Sequence, residues 1–187
     1  RQWTSWAIEL ADDAVARFAD PAGGYFQTAD DAEALVTRPK DTWDNATPSG
    51  NSLLASAAAQ LALLTGESRW HDVATGILRS FGADVRRAPT GFGELLQVVE
   101  ALAADGREVA VVGPEGDARD ALVRAAMGTP RPGLVAAVAT TGDPNADGVP
   151  LLRDRPARGG APTAYVCRGF VCDAPTDDPD AVAAAVA

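Results

Sequence analysis

Between Gly50 and about Leu64 the chain is rich in Ala and Leu on nearly every helical face. A helix that is apolar all round has no side suited to water and must be enclosed by protein. This demand constrains the fold more than any other stretch of the 187 residues, because other helices must surround it. The next helical stretch, about Ser68–Arg86, differs. Trp70, Val73, Ile77 and Phe81 form one stripe, while Arg69, Asp72, Arg79 and Arg86 occupy the rest, so one wet face is expected. Upstream, Ile8, Ala11, Val15 and Phe18 recur at helical spacing opposite Asp12, Asp13 and Arg17, in a helix ending near Asp20-Pro21. Downstream, about Phe92–Ala104 carries Leu95, Leu96, Val98, Val99 and Leu102 with few polar residues. Two short strands, Tyr25–Gln27 and Leu35–Thr37, are expected around the acidic turn Asp30-Asp31-Ala32-Glu33.

The texture changes at Asp105-Gly106. Glu108–Val112 reads as an apolar strand, Asp117–Met127 as a helix and Leu134–Ala139 as a second apolar strand. That spacing predicts a βαβ unit with parallel strands, covered on both faces, with the helical part as one cover. A Gly/Pro/Asp-rich linker (Thr141–Pro150) follows. Then come Leu151-Leu152, the short strands Ala164–Cys167 and Phe170–Cys172, and a last helix from about Asp178. The expected fold is mixed α and β: helical hairpins over 1–104 and a small C-terminal α/β module over 107–187.

The net charge of −10 argues against nucleic acid and anionic membrane surfaces, which demand a basic face. The longest apolar run, Leu53–Leu64, is broken by Ser56 and Gln60 and is too short for a membrane span. No signal-peptide pattern opens the chain, and its start at Arg1 suggests a piece of something longer. A cytoplasmic location is expected. With one His, at position 71, no His-based metal site or Ser-His-Asp triad can be built, and none of the residue patterns calls for a cofactor. His71 sits at the start of a wet-faced helix and reads as a surface residue.

Residues 38–52 concentrate polar groups at the mouth of the buried helix: Arg38, Lys40, Asp44, Asn45, Ser49 and Asn51, with Trp43 among them. Carboxylates and amides are the groups that grip sugar hydroxyls, and a Trp stacks on a sugar face. Asp44 is a weak candidate for general acid–base work, since glycoside hydrolysis needs a second carboxylate and none is marked. The structural alternative is that Pro48 stops the preceding segment, Ser49 caps the helix, and Arg38 pairs with Asp44.

Cys167 and Cys172 leave two readings open. If Arg168-Gly169 turns the hairpin, Cys172 lies diagonal to Cys167; if four residues form the loop, the two face each other and a disulfide is feasible. They are either buried reduced structural residues, the expected state, or a redox pair, with Arg168 as the adjacent cation. Gly113-Pro114-Glu115-Gly116 lies where nucleotide-binding loops lie, but it has no Lys and its acids repel phosphate, so it reads as a structural turn.

Alternation of an all-apolar helix with a one-faced helix is what an α/α toroid requires. Gly23-Gly24-Tyr25-Phe26, Arg38-Pro39-Lys40, Asp44-Asn45-Ala46, Pro48-Ser49-Gly50-Asn51-Ser52 and Ala164-Tyr165-Val166-Cys167 followed by Cys172 resemble the C-terminal part of the spermatogenesis-associated protein 20 family. Its bacterial members are called thioredoxin-domain or DUF255 proteins. The resemblance implies a longer parent, with an N-terminal thioredoxin-like domain and an (α/α)6 toroid similar to the N-acylglucosamine 2-epimerase and six-hairpin glycosidase folds. This chain would then hold the last toroid helices and a terminal module. Two functions follow as expectations: the 38–52 segment lines a sugar-binding or sugar-processing cavity, or the chain is an interaction scaffold of a thiol-redox or folding-related protein. The expected partners are the rest of the parent chain, a small sugar ligand, and copies of the fragment itself.

Overall fold

The computed structural model describes residues 2–33, 36–104, 106–128, 130–143 and 146–187. They divide into two compact units, 2–62 with 67–103, and 63–66 with 104–187. Among them, no helix is long and apolar enough to cross a membrane.

The first unit contains α1 (Gln2–Phe18), α2 (Gly50–Thr65, whose last three residues belong to the second unit), α3 (Ser68–Arg87) and α4 (Gly93–Ala103). Its core joins Ala55, Ala58, Ala59 and Leu61 of α2 to Trp70, Ile77 and Phe81 of α3, with Phe92, and Leu95 of α4. Ile8 and Val15 of α1 pack against this core around the buried Ala11, as their spacing requires. In α3 the expected stripe is buried at Trp70, Ile77 and Phe81 and half-buried at Val73, with Ala74 buried beside it. More of α2 is buried, including the polar Asn51, Ser52 and Thr65, yet its enclosure is incomplete, because Leu53 is exposed.

The expected strands around the acidic turn do not form. Leu35 lies outside the described residues, Val36 and Thr37 are in a bend, and Tyr25 makes only an isolated bridge with Ala19. The reason is that successive amides find partners in different segments. The Tyr25 N–H donates to the Asn51 side chain, that of Phe26 to the Phe18 carbonyl, and that of Gln27 to the Pro39 carbonyl. No ladder can grow from partners on three elements.

The second unit is built on a four-stranded sheet in the order β2-β1-β3-β4. The central β1 (Arg107–Val112) runs parallel to β2 (Leu134–Ala139), with α5 (Asp117–Met127) between them in sequence, which is the expected βαβ unit. β1 pairs antiparallel with β3 (Thr163–Arg168), and β3 with the short β4 (Val171–Cys172). One face of the sheet, with Val109, Val111, Ala164 and Val166, packs on Leu122 and Ala126 of α5 and on Val182 and Val186 of α6 (Pro179–Val186). Asp178 caps α6 by accepting from the Asp180 N–H. The other face, with Ala110, Val112, Tyr165 and Cys167, is covered by Val149, Leu151 and Leu152, with Leu63 and Leu64. The stretch expected as a linker over 141–150 therefore contributes to the core through Val149; its residues 144 and 145 lie outside the described residues.

Candidate functional site

Ser49 begins the 38–52 geometry as its sequence suggests. Its hydroxyl accepts the Ser52 N–H at 3.1 Å and lies 3.0 Å from the Ser52 hydroxyl, closing the first turn of α2. Asn51, 3 % exposed, works as a clamp. Its Oδ1 accepts the Tyr25 N–H at 2.8 Å, and its Nδ2 donates to the carbonyls of Tyr25 and Asp41, each at 2.9 Å. Gly24 must be glycine beside it: its φ is +71°, and an added Cβ would lie 2.7 Å from the Phe81 ring and 3.1 Å from Asn51 Oδ1.

Asp44 ties two helix starts together. Its Oδ1 accepts the Ser49 N–H at 2.9 Å, and its Oδ2 accepts the N–H groups of Glu94 and Leu95 at 2.9 and 3.4 Å, in the first turn of α4. Helix N-terminal amides are unpaired and carry partial positive charge, so a carboxylate stabilises them. The expected Arg38–Asp44 ion pair is therefore replaced. Arg38 instead donates to the carbonyls of Arg17 and Thr28 and lies over the Phe26 ring. Lys40 pairs with Asp20 and donates to the Gly23 carbonyl. This contact holds the Asp20 carboxyl below the usual carboxylate range, chiefly through the Lys40 hydrogen bond. Trp43 packs on Phe92 at 5.1 Å and over Gly91, where an added Cβ would lie 2.2 Å from the indole. Asn45 is exposed, with its N–H on the Thr47 carbonyl. Arg38, Asp44 and Asn51 are thus turned to three different sets of backbone groups rather than brought together.

Of the remaining positions, His71 is exposed on α3. Gly113 in the β1–α5 turn is packed so closely that an added Cβ would meet Pro162 at 2.4 Å, a structural reason for that glycine.

The cysteines behave differently. Cys167 and Cys172 are directly paired across β3 and β4 and are joined by a disulfide. The expectation of a reduced pair is corrected by this register. Arg168 pairs with Val171, so the turn is the two residues Gly169-Phe170, both with positive φ (56° and 65°), as type I′ hairpins require. Glu108 of β1 explains how Phe170 is held there. Its carboxylate, on a side chain 2 % exposed, accepts the N–H groups of Gly169 at 3.1 Å and Phe170 at 3.2 Å. Consecutive turn amides converging on an anion form a small nest. Glu108 follows Arg107 at the start of an otherwise apolar strand, and that one acid in it was the signal.

The cation at the sulfurs is also not the one expected. Arg168 reaches Asp173 at 3.1 Å. Arg155, twelve residues before Cys167, places Nη2 3.2 Å from the Cys172 sulfur and 3.7 Å from that of Cys167. The Tyr165 hydroxyl, donating to the neighbouring Pro156 carbonyl at 2.6 Å, lays this segment along β3. Arg155 also donates to the Arg153 carbonyl and lies 5.9 Å from the Phe170 ring centre.

No protein-family model matches the chain. Whole-sequence similarity is decisive: the chain is 32 % identical over 184 residues to spermatogenesis-associated protein 20 of Homo sapiens, covering 95 % of its own length. It belongs to the spermatogenesis-associated protein 20 family. The proteins of that name from Mus musculus and Rattus norvegicus are each 30 % identical to it over 183 residues. The chain spans 23 % of the length of these relatives.

Proposed function

We propose that this chain is an interaction scaffold of a thiol-redox protein, and that it carries a disulfide exchangeable with thiol partners. The observation that supports this most is the Cys167–Cys172 bond at the end of a hairpin, with the Arg155 guanidinium on both sulfurs. A cation at a sulfur stabilises the thiolate released when the bond opens. The interaction role is supported by α1, where Trp3 (78 % exposed), Trp6 and Leu10 (71 %) recur on one exposed side. Bare apolar stripes of this kind are contact surfaces. The partner proposed for it is the remainder of a family-length chain, in which these helices complete an α/α toroid.

A carbohydrate cavity lined by residues 38–52 has weaker support. Asp44 and Asn51 engage backbone groups with both of their polar atoms, and Arg38 and Lys40 also bind carbonyls. Trp43 and Asn45 are the exposed members of the set.

The test is reduction of the native chain with dithiothreitol, followed by iodoacetamide alkylation and mass measurement, with near-UV circular dichroism recorded in parallel. The expected result is two alkyl groups gained while the tertiary signal persists. Alkylation that requires loss of the tertiary signal, or two free thiols before any reductant, would contradict the reading.

A further inference from the structure

The two sulfurs are not equivalent. Cys167 is completely buried in the sheet core, whereas Cys172 is half-buried on the edge strand β4. Only a reachable sulfur can be attacked by an external thiolate, and the other sulfur must then leave. Glu108 stands opposite Cys167 in the β1–β3 register, on the same face of the sheet. Its negative charge opposes a thiolate appearing at Cys167, and a compensating cation is therefore needed. Arg155 is in place, in contact with both sulfurs. The other charged groups flanking the hairpin, Arg168 and Asp173, are engaged with each other.

We propose, on the reading of an exchangeable disulfide, that Cys172 is the attacked sulfur, Cys167 the leaving thiolate, and Arg155 the catalytic cation that holds the departing charge and favours anionic thiols. The incoming thiolate forms a bond to Cys172 as the Cys172–Cys167 bond breaks, and the electron pair leaves on Cys167. A second thiolate then attacks the partner's sulfur in the mixed disulfide and releases Cys172. Two thiols are oxidised to one disulfide, the protein disulfide gains two electrons, and solvent supplies the two protons that the new thiols take up. The substrate class is a thiol or dithiol carrying negative charge near its sulfur.

Two measurements test this. In the first, Cys167→Ser and Cys172→Ser are each labelled with 5,5′-dithiobis(2-nitrobenzoate) under native conditions. Cys172 in the former should react at least about tenfold faster than Cys167 in the latter, and the reverse order would overturn the assignment. In the second, the wild-type disulfide is reduced by 2-mercaptoethanesulfonate and by cysteamine, and the ratio of the rates is compared with that in Arg155→Met and Arg155→Lys. A single nearby charge predicts a ratio lowered roughly fivefold in Arg155→Met and largely kept in Arg155→Lys. Using a ratio cancels the intrinsic reactivities of the two thiols, and Arg155→Gln, which also removes the charge and should lower the ratio equally, takes the place of Arg155→Met if that variant does not fold. An unchanged ratio in a folded Arg155→Met would overturn the role of Arg155. Reduction by neither thiol in the folded wild type would overturn the exchangeable-disulfide reading, and this proposal with it.

Discussion

The 38–52 segment and the Cys167–Cys172 hairpin both use a buried side chain to hold backbone amides, yet they leave different chemistry behind. In the first, Asn51 and Asp44 bind amides and carbonyls from Tyr25, Asp41, Ser49 and Glu94, and the polar groups are consumed in fastening irregular chain to helix ends. In the second, Glu108 fastens the turn from below, and the sulfurs remain beside a cation with one of them reachable. A concentration of polar residues in sequence is thus a poor guide to reactivity. What matters is whether the protein's own backbone has already taken their hydrogen bonds.

The contrast predicts graded effects. Asn51→Ala should cost the most, about 3 kcal/mol, because it strands three half-buried backbone groups at Tyr25 and Asp41 that a methyl cannot satisfy. Urea unfolding checks it, and a loss under about 1 kcal/mol would remove the clamp from the account. Glu108→Ala should cost slightly less than Asn51→Ala by leaving only the Gly169 and Phe170 amides unpaired, with Glu108→Gln recovering part through one retained acceptor. Double replacement of Cys167 and Cys172 by Ala should cost only about 2 kcal/mol, since a bridge closing so short a loop removes little chain entropy. A chain that no longer folds would make the disulfide a structural staple and erase the difference between the regions.

The smallest effect is electrostatic. Asp20 has a lowered folded pKa beside Lys40. Its contribution is fully present above the unfolded value near 4, and is lost as pH falls through the lower folded value. Lys40→Met should lower stability near neutrality, and its difference from the wild type should vanish as pH falls through that acidic window.

The periodic parts of the fold were legible in sequence. Trp70, Ile77 and Phe81 repeat at helical spacing because one face of α3 is buried, and the strand–helix–strand spacing of 108–139 admits few arrangements besides a parallel pair. The clasp that Asn51 and Asp44 form on backbone groups was not legible as such. Periodicity records which side chains meet the core, and it carries no trace of Asn51 reaching back 26 residues to Tyr25. The hairpin register was ambiguous for a related reason. Arg168-Gly169 and Gly169-Phe170 are both plausible turns by local propensity, and it is Glu108, 61 residues away, that favours the one observed. Arg155 was hidden likewise, since its contact with Cys172 depends on a loop laid along β3 rather than on a motif.

Hydrogen–deuterium exchange of the oxidised and the reduced chain compares the two regions in one experiment. Reduction should lower protection only around the β3–β4 hairpin, at amides such as Phe170 and Asp173. The clasp amides of Tyr25, Ser49 and Glu94 should exchange at unchanged rates. Loss of protection throughout the clasp on reduction would contradict the exchange reading, because the disulfide would then be holding the fold together rather than standing ready for exchange.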